Sequence, residues 1–136
     1  MKALSIHPVY AGAIFAGEKT VEVRTWQTDY RGDIVICSTN KKIKDTIPGH
    51  ALCVVRLADV VPLKKDHLKA AMMNAADYDP GYYAWILDDL RIIRPVPVKG
   101  KLSLWDYTGP IEYLQEPETD EEDEKMYHEI WEPLFI

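Results

Sequence analysis

Between helix-like and strand-like stretches the chain reads Lys19-Thr20-Val21-Glu22-Val23-Arg24-Thr25-Trp26, which gathers an ammonium, a hydroxyl, a carboxylate, a guanidinium and an indole. From Thr20 to Thr25 polar and apolar side chains alternate, the period of a strand, so Val21 and Val23 share one face and Thr20, Glu22 and Arg24 the other. If the polar face lines a cleft, Arg24 can grip a phosphate or a base edge through its planar fork, while Lys19 adds a mobile point charge. Glu22 can accept from an exocyclic amine. Trp26 is the best-placed aromatic for stacking on a base, an interaction worth ~1–3 kcal/mol. On a solvent-facing strand the same spacing makes a structural Glu22–Arg24 ion pair, and spacing alone leaves both readings open.

Catalysis asks for more. A lysine acts as a base only when burial or a neighbouring cation lowers its pKa toward the working pH. Arg24 helps in that respect and Glu22 opposes it. A different arrangement, with Glu22 as general base and Lys19 stabilising an oxyanion, is also physically open. Elsewhere the chemistry is thinner. His7, His50, His67 and His128 lie far apart without ligand spacing, so no metal is expected, and no glycine-rich phosphate loop is present. Cys37 and Cys53 sit in strand-like runs and read as buried free thiols. Lys41-Lys42-Ile43-Lys44 is a basic loop that either touches a nucleic-acid backbone or is simply solvated. Trp85 reads as core, Trp105 as part of a short turn that plugs one end of the fold, and Trp131 as the anchor of a last helix.

The elements that must position these groups follow from periodicity and punctuation. Lys2 to Ile6 is a short strand. Pro8 opens a helix over Val9 to Ala16, and Gly17 stops it, because glycine tolerates the left-handed conformation that ends helices. Strands are expected over Thr20 to Thr25, Ile34 to Cys37 and Ala51 to Val61, the last ended by Pro62. Lys64 to Ala76 carries Leu68, Met72 and Ala75 at helical spacing and predicts an amphipathic helix. Tyr82 to Ile93 and a shorter Val96 to Val98 are further strands. Asp120 to Trp131 predicts a last helix with Met126 and Ile130 on one side. Strands in succession with few helices argue against a doubly wound sheet and for an α+β, mainly β domain of about six strands and two or three helices.

The 136 residues fit one domain, and a 47% hydrophobic content is too high for a disordered chain. No apolar run approaches the roughly 20 residues of a membrane span, and His7-Pro8 breaks the only start that resembles a secretory leader. A cytoplasmic protein is the expectation. The net charge of −6 is unevenly divided: residues 116–132 carry nine acids against Lys125, so the rest of the chain is mildly basic at +2. The acidic stretch is a solvated face, a competitor of nucleic acid for a basic groove, or a contact for a protein partner.

Four blocks together carry a resemblance. Leu4-Ser5-Ile6-His7-Pro8 followed by Gly17-Glu18-Lys19-Thr20-Val21-Glu22-Val23-Arg24 resembles the opening of an ASCH domain, whose signature is Gly-x-Lys-Thr-x-Glu-x-Arg after a short helix. Tyr30 to Ile36, Tyr83 to Leu87 and Pro97 to Trp105 are similar to that family's later segments. The resemblance implies a PUA-like small β-barrel over residues 1–110, with 111–136 as an acidic extension, helical and packed on the barrel. It also implies RNA or nucleotide recognition in a cleft faced by Lys19, Glu22, Arg24 and Trp26, with Pro8 of the first block added to the ligand-contacting set. Some members resemble metal-independent amidohydrolases of acetylated cytidine, and others have been proposed to cleave RNA. For such a hydrolase the resemblance points to Lys19, Glu22 and Thr20, with no cofactor. In those members the lysine activates a threonine two residues into the strand, a place that Glu22 holds here.

Overall fold

The computed structural model describes residues 1–136. Its first strand, β1 (Lys2–Ile6), enters helix α1 (Pro8–Phe15) through His7, whose Nδ1 accepts from the Val9 amide at 3.2 Å. Pro8 sits where its missing N–H costs nothing. Gly17, at φ +78°, ends the helix and lets the amides of Glu18 and Lys19 both reach the Ala13 carbonyl. That turn delivers the chain to β2 (Val21–Arg24) with Lys19 tucked back under α1.

Three longer strands follow: β3 (Gly32–Ser38), β4 (His50–Pro62) and β5 (Tyr83–Pro97). The sheet closes its order with the short β6 (Leu104–Asp106), giving β2-β5-β4-β3-β1-β6. Only β1 and β3 run parallel; every other pair is antiparallel. Three register shifts along β4 and β5 bend the two long strands, as bulges do, and the sheet curls into a half-barrel. Ile34, Ile36, Cys53, Val55, Leu57 and Trp85 pack inside it with Leu4, Ile6 and Ile14. Val35, Cys37, Val54 and Ile93 pack on the other face against Tyr107. Burial of both faces explains the unbroken apolar run from Ile34 to Cys37; Cys37 at its end and Cys53 in β4 are buried free thiols.

Three expectations need correction. The helix expected over Lys64 to Ala76 is instead a 3-10 turn (Lys65–His67), a single helical turn α2 (Leu68–Ala71) and a second 3-10 turn (Ala75–Asp77). It stops at Met72, at φ 54°, because tertiary donors claim its last carbonyls: Ala70 O accepts from the Thr20 amide and Ala71 O from Lys19. The two strands expected over Tyr82 to Val98 are one 15-residue strand, since Pro95, which has no N–H to give, falls inside a register shift. Trp105 is not in a turn. It lies in β6, opposite Ala3, and donates through Nε1 to Ser5 Oγ at 3.1 Å.

The acidic segment forms α3 (Asp120–Met126), which Thr119 caps by accepting from the Glu122 amide. Four acids in the first turn suit the positive end of the helix dipole. The helix runs on as a wider turn to Trp131, which is 7% exposed and meets Phe15 of α1 edge-on at 5.5 Å. No helix is long and apolar enough to cross a membrane.

Candidate nucleotide-binding cavity

The sheet's two edge strands do not pair with each other, and a cavity of about 660 Å³ opens where β2 faces the end of β1. β6 covers β1 only from Lys2 to Leu4, so the Ser5 carbonyl is left over. Arg24 takes it, donating from Nη2 at 3.1 Å across the gap. The same nitrogen stands 3.0 Å from Glu22 Oε2. Nη1 makes no hydrogen bond within the protein, and Nε is a buried donor without a partner. The guanidinium is thus anchored at one corner only.

Glu22 is 6% exposed and Lys19 4%. Lys19 Nζ donates to Ala71 O at 2.5 Å, stands 3.6 Å from Glu22 Oε1 and lies 5.1 Å above the Tyr10 ring. Burial is the largest influence on this ammonium and pushes its pKa below the ordinary lysine value, with Arg24 adding to the shift while Glu22 opposes it. Glu22 Oε1 also accepts from the Val23 amide at 3.2 Å. One carboxylate therefore sits between two cations, and both of its oxygens are engaged. The remaining lone pairs can accept a donor from a ligand.

The structure brings Lys19, Glu22 and Arg24 together and leaves three candidates apart. Thr20 precedes β2, and its exposed side chain lies outside the cavity lining. Trp26 packs edge-on against Trp85 at 4.7 Å and its carbonyl accepts from Trp85 Nε1, again away from the cavity. Pro8 is buried at the start of α1 and faces a different depression. Sequence reasoning missed His7, Tyr10, Asn74, Asp77 and Tyr82 in the cavity wall. For His7 and Tyr10 a signal existed, since residues three apart at a helix start share a face. With Nδ1 accepting from Val9, neutral His7 carries its proton on Nε2. Asn74, Asp77 and Tyr82 arrive from the broken segment after β4, which no local pattern points to. No group of three or more His, Cys, Asp or Glu side chains gathers to hold a metal ion.

The profile of the ASCH domain family matches residues 4–127, and the chain belongs to that family. The match runs through α3. Among solved structures, the ASCH protein of Zymomonas mobilis is similar at 20% identity and a TM-score of 0.61, over 95% of this chain and 94% of that one. A tyrosine-to-phenylalanine mutant of the same protein aligns with the same identity and score over 95% and 97%. These likenesses are of fold. No curated protein matches the chain.

Proposed function

We propose that the cavity on Lys19, Glu22 and Arg24 binds RNA or a nucleotide, with Arg24 taking a phosphate or base edge. The observation that carries this reading is the half-anchored guanidinium: Nη2 is fixed by Ser5 O and Glu22, while Nη1 is left for a ligand. A donor held in place in advance loses little freedom on binding. Membership in a family whose domains generally bind RNA supports it. Labelled short RNAs and mononucleotides, titrated by fluorescence polarisation, test it. Arg24→Ala weakens binding at least ~10-fold, and Arg24→Lys, which keeps the charge but not the fork, recovers only part of it. Equal affinity in all three proteins rejects the cavity.

A second reading rests on Lys19. An ammonium this buried, with its pKa lowered, suits hydrolysis of an acylated nucleoside or of RNA. In the acylated case Glu22 takes a proton from water as the water oxygen bonds to the acyl carbon, and Lys19 Nζ–H stabilises the resulting oxyanion. The C–N bond then breaks, and the amine leaves with the proton that Glu22 returns. Thr20 has no place in this scheme. Lys19→Ala and Glu22→Gln each lose at least ~100-fold in turnover of an acylated cytidine, with the wild type unaffected by a chelator.

A further inference from the structure

A second hollow shares no lining residue with that cavity. It is a groove of about 860 Å³ between β5 and the C-terminal helical segment. A bulge in β5, marked by Asp89 at φ 51°, leaves Leu90 exposed on one wall. The opposite wall is a single helical stripe, Asp120, Asp123, Glu124, Tyr127 and Trp131, at intervals that keep one face. The stripe is acidic at its start and apolar at its end. Met126, Ile92 and Phe15 complete the apolar part, and Glu116 adds a fourth carboxylate at the rim.

Two features mark the groove as incomplete. Glu116, Asp120 and Asp123 have no ion-pair partner, and Glu124 meets only His128, at 3.5 Å. Arg91, the one cation in the lining, is already bound to Asp33 at 2.6 and 2.9 Å and lies over Tyr113. Independently, the apolar lining is left open to solvent: Leu90 is 38% exposed, Tyr127 43% and Tyr113 48%.

We infer that the groove is a docking site for a basic amphipathic peptide segment of a protein partner. Its Lys or Arg side chains pair with Glu116, Asp120, Asp123 and Glu124, and its apolar side chains cover Leu90, Met126 and Tyr127. The chemistry follows from charge and length. Four carboxylates repel a nucleic acid. The stripe from Asp120 to Tyr127 spans about 10 Å of helix, so a ligand must be cationic at one end and apolar at the other over that distance, which an extended or helical peptide provides.

The test uses the full chain. Twelve-residue peptides are selected on it from a random display library, and their consensus is synthesised, labelled and titrated by fluorescence anisotropy. The consensus carries Lys or Arg beside an apolar cluster. Binding weakens at least ~10-fold in Asp120→Asn/Asp123→Asn and in Met126→Glu, and falls with salt. The Asn pair keeps residues compatible with the helix start, so it remains informative if Met126→Glu unfolds. In the 1H–15N spectrum the signal of the Trp131 indole, which lines the groove, moves on peptide addition. Selected peptides without basic residues, affinity unchanged in the Asn pair, or short RNA rather than peptide shifting the groove's signals would each overturn the assignment, as would a selection that yields no binder.

Discussion

At the scale of single residues the cavity is a balance of charges rather than a row of independent ones. Lys19, Glu22 and Arg24 are close enough that changing one alters the other two. Lys19 gives the clearest measurable sign. Its pKa is lowered on folding, chiefly by burial, so below the unfolded value of about 10.4 the unfolded chain holds this proton more firmly than the folded one. Stability attributable to Lys19 therefore rises with pH from the lowered pKa up to that value. Denaturant unfolding of the wild type and of Lys19→Met, compared from neutral pH to pH ~10, should show the wild type gaining on the variant as pH rises. A constant difference between them across that range means that Lys19 titrates normally. The alternation of Val21 and Val23 against Glu22 and Arg24 was legible because it needs only the period of a strand. The exit of Thr20 from the face was not, because its amide is drawn to the Ala70 carbonyl of α2, a distant partner, before the regular register with β5 begins at Val21 opposite Ile86.

At the scale of elements, β1, β3, β4, α1 and the start of α3 were readable from punctuation and periodicity. The Thr119-x-x-Glu122 spacing, with Thr119 accepting from the Glu122 amide, is a local helix-start signature. The segment from Lys64 to Asp77 was not readable, since its apolar spacing fits a helix and only distant donors, Lys19 and Thr20, decide that it stops at Ala71. β6 has three residues, too few for a period. Its connection nevertheless governs the cavity through Ser5. Gly100 lies so close to this residue that a Cβ there would collide with the Ser5 hydroxyl, which also receives the Trp105 indole hydrogen bond, while the Ser5 carbonyl holds Arg24. Gly100→Ala should therefore cost ~1–3 kcal/mol, as overpacking does, and weaken RNA or nucleotide binding although residue 100 is outside the cavity. Unchanged unfolding together with unchanged binding would show that Ser5 can yield without disturbing Arg24.

For the whole molecule, the uneven charge has a structural form. The body at +2 holds the cavity, and the segment at −8 lies along α3 and ends in a tryptophan that belongs to the core. Removing residues 116–136 to expose the basic body would remove Trp131 as well and should unfold the protein. Neutralising exposed carboxylates avoids this. Glu118→Gln/Glu121→Gln/Glu129→Gln removes three negative charges while sparing the Thr119 cap and the groove rim. At ~50 mM salt this variant should bind short RNA several-fold more tightly than the wild type, and the gain should vanish as salt rises and screening shortens the reach of the charges. Equal affinity at low salt would limit the acidic segment to solubility and to the groove it lines.

The half-barrel has a seam, and that seam is held differently from the rest of the sheet. Where other neighbouring strands are joined by a ladder of amides, β2 and the end of β1 are joined by one guanidinium on one carbonyl. A ladder opens only by losing several bonds together, whereas a single staple can let go and re-form alone. The group that latches the seam is also the group offered to a ligand. A ligand that holds Arg24 in place should quiet the breathing of the barrel at this gap, and one that draws it away from Ser5 should let the gap widen. Hydrogen exchange at the Val23 and Arg24 amides, read with and without ligand, would tell the two apart in a molecule whose binding and opening share one side chain.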